Sequence, residues 1–138
     1  MERLFVLVAA LLVATTAASA SAAHTTRASR TGVLTGTWSG TLTGSAGGRT
    51  HRERILIVVN ARESAGSWKV NASCHGSLAL DSISGGYHHY RRHVAAGGSC
   101  LGGDVDCLMR SGTDIYDSVT PRPGGYALSG TLRRVRSA

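Results

Sequence analysis

Beyond residue 23 no stretch repeats apolar residues every three or four positions, so no amphipathic helix is available as a building block. Gly-x-Ser-x-Gly, a Walker loop and His-Glu-x-x-His are all missing, which removes the common sequence signals of hydrolases, nucleotidases and zinc proteases. No Cys-x-x-Cys spacing exists, so a zinc site built on the three cysteines is not expected. Aromatics are scarce at 5%, and with the small size this also speaks against an enzyme. Lys69 is the only lysine, and the net charge of +7 is spread over scattered arginines with no dense run. That spread gives no nucleic-acid arm, although long-range attraction still favours anionic partners.

What is present alternates. In Leu34-Thr35-Gly36-Thr37-Trp38-Ser39-Gly40-Thr41-Leu42 the apolar and glycine positions share one parity, and only Thr and Ser occupy the other. A period of two marks a half-buried strand, here with an indole in the middle of its inner face. Further strands are expected near 51–61, in two pieces between Trp68 and Leu80 split near Ser73-Cys74-His75, and over Tyr87–Val94. The rest are expected at Val105–Arg110, Ile115–Val119 and from Tyr126 to Leu132. Turns recur every eight to twelve residues, and Pro121-Arg122-Pro123-Gly124-Gly125 ends one strand. The fold class is therefore all-β, a small antiparallel meander of seven or eight strands. The first and last strands share the pattern of alternating leucine and glycine, and pairing them would close a barrel and remove both edges.

The start of the chain has a different character. Met1-Glu2-Arg3 followed by the apolar run Leu4–Ala14 and small-residue cleavage sites near Ala18–Ala22 predicts a signal peptide over residues 1–23. The run is too short to span a membrane. Residues 24–32 have no periodicity and are expected to be a disordered lead, leaving residues 33–138 as the barrel domain. The expected localisation is secreted and extracellular, with no stable membrane association after cleavage.

Three cysteines in an exported chain imply one bridge and one leftover thiol. Either Cys74–Cys100 or Cys100–Cys107 can close. Cys107 shares its parity with Val105 and Met109, as a small buried hydrophobe would. Tyr87-His88-His89-Tyr90-Arg91-Arg92-His93-Val94 is the segment whose chemistry is least explained by packing. As a strand it projects Tyr87, His89, Arg91 and His93 to one face, with Arg forks for carboxylate or phosphate and rings for stacking. The same residues also suit a solvated strand whose arginines pair with Asp81, Asp104 or Asp106. His89 and His93 would lie about 13 Å apart, too far to share a metal. Asp104 and Asp106 next to Gly102-Gly103 fall far short of a calcium cage.

Two resemblances follow from these residues. Gly36-Thr37-Trp38 opening a strand, with Arg133 or Arg134 near the end of the last one, resembles the calycin barrels of lipocalins and avidins. The resemblance implies that the early Trp closes one end and a late basic side chain packs across it. Trp38-Ser39-Gly40, Cys74-His75-Gly76-Ser77-Leu78-Ala79-Leu80, Arg91-Arg92-His93-Val94, Gly97–Cys100 and Gly103-Asp104-Val105 are similar to small secreted β modules of actinobacteria. These occur alone or as extracellular tails of receptor-type serine/threonine kinases. The pattern departs from them at Arg92 and at the extra Cys107. This second resemblance implies export and a bridge between Cys74 and Cys100.

The expected function is thus a monomeric binding or interaction module without catalysis, cofactor or nucleic-acid partner. Its partner would be an anionic small molecule, a wall polymer or an extracellular protein, met by Tyr87, His89, Arg91, His93 and Trp38. The alternative is an inhibitor of secreted hydrolases such as proteases, acting through the Ala95–Cys100 and Thr120–Gly125 loops.

Overall fold

A computed structural model describes residues 33–98 and 100–136. The expected signal peptide and lead lie outside the described residues. Eight strands follow in order: β1 (Gly36–Ala46), β2 (Arg49–Val59), β3 (Ala65–Asn71), β4 (Cys74–Ser84), β5 (Tyr87–Val94), β6 (Val105–Ser111), β7 (Asp114–Thr120) and β8 (Leu128–Arg134). Each is antiparallel to the next, and β8 pairs with β1, so the sheet closes into a barrel. The all-β closed meander expected from the alternation is what forms.

The alternation also decides which side faces in. Trp38, Leu42, Ile55, Ile57, Val59, Trp68, Leu78, Tyr90, Leu108, Ile115, Val119, Leu128 and Leu132 make one continuous buried core. At the closing seam, glycines let two backbones meet. A Cβ on Gly40 would lie 2.5 Å from the Thr131 carbonyl oxygen, and one on Gly130 would lie 2.4 Å from that of Thr41. The β1–β2 hairpin is longer than the sequence suggests, because only Gly47 and Gly48 turn, at φ 57° and 74°. Both positive values suit the two-residue turn that matches strand twist. Gly44 to Thr50, a run of glycine and small polar residues of the kind that marks a turn, is therefore mostly strand.

In β4 an extra residue, Asp81, is inserted between the Leu80–Tyr90 and Ser82–His89 pairs. It leaves the ladder and meets Arg91 on the outer wall. Cys74 and Cys100 are disulfide-bonded, with Cα atoms 5.3 Å apart, and Cys107 is free and buried. Of the two pairings open from spacing, Cys74–Cys100 is the one made.

The two ends of the barrel differ. One is plugged. Trp38 is fully buried there, and its Nε1–H donates to the Leu34 carbonyl oxygen at 2.7 Å. The Arg134 guanidinium lies 4.4 Å from its ring centroid and that of Arg110 lies 5.4 Å away. Glu63 completes the plug. It has a left-handed backbone (φ 54°), which is unfavourable for a side-chain-bearing residue. Its carboxylate accepts the N–H groups of Leu34 and Thr35, and its carbonyl oxygen takes the Tyr90 hydroxyl at 2.7 Å. His88 Nε2 stands 3.5 Å from its second carboxylate oxygen. The loops of the opposite end leave that mouth open.

Candidate functional site: the open mouth

The parity that sends Leu78 and Tyr90 inward also sends in polar residues: Arg92 from β5, Asp106 from β6, Asp117 from β7 and Glu53 from β2. They form a charged layer between the plug and the mouth. Arg92 Nε and one terminal nitrogen donate to the two oxygens of Asp106 at 2.8 and 2.7 Å, a two-point grip. Its other terminal nitrogen donates to Glu53 at 3.0 Å. The guanidinium also lies 4.9 Å from the Trp68 ring centroid. Burial works against the charge of Arg92, but the bond to Asp106 and the charges of Asp106, Glu53 and Asp117 outweigh it and hold the cation firmly protonated.

Asp117 has no such partner. It is fully buried, and neither carboxyl oxygen meets a donor. Burial first, and the neighbouring Asp106 carboxylate second, push its pKa well above the ordinary value of 3.8, against the pull of Arg92. Burial thus favours the neutral form of Asp117. The layer sets one guanidinium, Arg92, among the carboxyl groups of Asp106, Glu53 and Asp117.

Above this layer lies a cavity of about 360 Å³. Trp68, Val119, Leu128 and the Cys74–Cys100 bridge supply apolar wall, while Glu53, Arg92, Asp104 and Arg122 supply charge. Tyr126 and Leu101 stand exposed at the rim. Asp104 is committed to the loop, where one carboxylate oxygen accepts the Arg122 backbone N–H at 2.9 Å. The Arg122 side chain makes only a long 3.5 Å bond to the Pro123 carbonyl oxygen. Arg92 uses three N–H donors on Asp106 and Glu53, which leaves two of the five that a guanidinium carries. The mouth thus sets two guanidiniums, Arg92 buried in its floor and Arg122 at its side, beside an apolar wall.

The residues singled out from sequence sit elsewhere. Tyr87, His89, Arg91 and His93 do share a face, and it is the outer wall of β5. Arg91 pairs there with Asp81, so one of the expected ion pairs forms, and Arg92–Asp106 is another. Trp38 is sealed at the plugged end and does not line the mouth; Trp68 does. Among the described residues no three His, Cys, Asp or Glu side chains converge as metal ligands.

On the outer wall His89 links two side chains. Its Nδ1 lies 3.2 Å from Cys107 Sγ and its Nε2 lies 2.9 Å from Ser84 Oγ. This has the order of a thiol–imidazole relay, but the sulfur is covered and burial pushes its pKa up. The group is a packed thiol and not a thiolate nucleophile.

The chain matches no family model, no curated protein and no solved structure. Function has to be argued from the mouth itself. No sequence signal marks Glu53, Asp117 or Tyr126 for the mouth, whereas Arg92 and Asp106 stand out there only as a possible ion pair of a solvated strand. One signal was present: Asp106 shares its parity with Leu108, and an acid on an inward parity needs a buried partner.

Proposed function

We propose that this protein is a secreted, non-catalytic binding barrel that takes a small anionic molecule with an apolar body in its open mouth. The supporting observation is the 360 Å³ cavity, which joins Arg122 and the two spare donors of Arg92 to the wall of Trp68, Val119 and Leu128. Its volume is at the lower end of the range of small-ligand sites, about 300–1,000 Å³. A carboxylate is the group that fits: planar, monovalent and matched to a guanidinium fork. Glu53 and Asp106 beneath the floor disfavour a multiply charged head by repulsion. The sealed Trp38 and the arginine across it also fit the calycin-like architecture, in which one end is closed and the other is used.

The test is a fluorescence titration with aryl and short alkyl carboxylates and with their uncharged amides. Trp68 lies on the wall, so its emission should respond to the acids and not to the amides. The Trp68→Phe variant should lose that response, while Arg122→Ala should weaken binding about tenfold. A flat response across the acids refutes the reading.

The inhibitor reading has one point in its favour. Both candidate loops rim the same open end, where Leu101 is 65% exposed. Undiminished activity of secreted proteases at molar excess of the protein removes it.

A further inference from the structure

The barrel sorts its charges. Of the acids in the described residues, Glu53, Glu63, Asp106 and Asp117 face the interior or the plug, and Asp104 is bound into a loop. The basic residues mostly face out. The outer surface of the barrel is consequently basic while most of its acids are withdrawn inside.

The sorting is most complete on the wall formed by β8, β1, β2 and β3. Arg52 and Arg54 project outward from β2, Lys69 from β3 and Arg133 from β8, and all four are exposed. None of them is in an ion pair among the described residues. The outward positions of these four strands carry no acid; the nearest is Asp114, which opens the adjoining β7. Between the cations the wall is hydroxylated. Thr41 stands opposite Arg54 and Thr43 opposite Arg52, while Ser39 stands between Arg133 on one side and Leu56 on the other, with Lys69 beyond. Arg52 and Arg54 are about 7 Å apart along their strand, and Arg133 and Lys69 about 14 Å apart across three strand spacings.

We propose that this wall is a docking surface for an extended anionic polysaccharide. Guanidinium and ammonium groups would take successive carboxylates, and the Ser and Thr hydroxyls between them would exchange hydrogen bonds with the sugar hydroxyls. The composition of the wall separates this partner from two others. Single-stranded nucleic acid is held by stacking on aromatic rings, and the outward positions of β8, β1, β2 and β3 have none. Membrane surfaces are gripped by apolar side chains sunk beneath a basic rim. The exposed large apolar residues lie off the wall, Ile83 at the end of β4, Leu101 and Tyr126 on the mouth loops and Val135 beyond β8. Arg52 and Arg54 adjoin the mouth, where they share a small pocket with Glu53, Tyr126 and Leu128, whereas Lys69 and Arg133 line neither cavity.

The experiment measures binding of the full chain to polygalacturonate at low salt, with duplex DNA and phosphatidylglycerol vesicles as comparison arms. R52S/R54S should weaken polygalacturonate binding about tenfold. R62S/R91S removes the same charge from elsewhere on the surface and should change it less than about twofold. T41V/T43V keeps every charge and should weaken the polysaccharide while leaving DNA binding unaltered. All are exposed positions, and melting curves establish that each variant is folded. Equal losses in the two charge variants would reduce the effect to net charge and overturn the proposal. So would tighter binding to DNA or vesicles than to the polysaccharide, or a T41V/T43V variant that binds polygalacturonate as well as the parent.

Discussion

Asp106 and Asp117 share one buried layer of the barrel but are partnered differently. Asp106 is gripped at two points by Arg92, whereas Asp117 meets no hydrogen-bond partner among the described residues, and burial and the neighbouring Asp106 push its pKa upward. A second negative charge in that layer would face a single guanidinium already shared with Glu53.

The proton on Asp117 makes stability depend on pH. The folded chain holds it more tightly than the unfolded chain, whose value is the ordinary 3.8. The stabilisation is therefore complete below that pH and is lost as pH rises through the raised folded value. Asp117→Asn is neutral throughout and close to isosteric. It should flatten the fall in melting temperature on the alkaline side, and a variant whose profile overlies the parent's would contradict this charge assignment.

Breaking the Arg92–Asp106 pair on one side should be costly. Arg92→Met leaves Asp106 buried without its donors, and a loss of about 3–5 kcal/mol in urea unfolding is expected. Arg92→Met with Asp106→Leu removes both charges and should recover a good part of that loss. Failure of the double variant to recover anything would show that the pair is needed for packing and not for charge balance.

Cys107 should behave as a hidden thiol. Covered on the outer wall, with burial pushing its pKa upward, it should react with a maleimide only slowly in the native state and at once in denaturant. His89→Ala uncovers the sulfur and should speed native-state labelling. If His89 instead activated the thiol as a base, the substitution would slow it.

The plug should respond to loss of its lid. Arg134→Ala removes the cation 4.4 Å from the Trp38 ring, at a cost of about 1 kcal/mol for a partly exposed pair. Trp38 emission should shift only slightly, since the indole is buried by other groups as well. A large red shift would mean that Arg134 alone keeps water out.

Much of this architecture was legible in the chain. Parity alone separated Trp38 and Leu42 from the Thr and Ser positions, and the likeness of the first and last strands anticipated their pairing. Glycine turns located most boundaries. The β1–β2 hairpin escaped because small polar residues such as Ser45 and Thr50 look the same in a strand and in a turn. The mouth was less legible. It draws on Glu53, Trp68, Arg92 and Arg122, which are scattered over seventy positions in four different elements, and no local pattern joins them. Tyr87, His89, Arg91 and His93 stand out in the sequence because they alternate along one strand, but they share its outer face. Arg92, on the other face, is the hub of the interior.

The seam between β1 and β8 has a consequence for how this molecule comes into being. Strands that touch in the finished ring are the first and the last of the barrel to be made. Until β8 arrives, β1 presents a bare row of peptide groups to any passing neighbour. A chain of this topology gains from staying extended until β8 has been made.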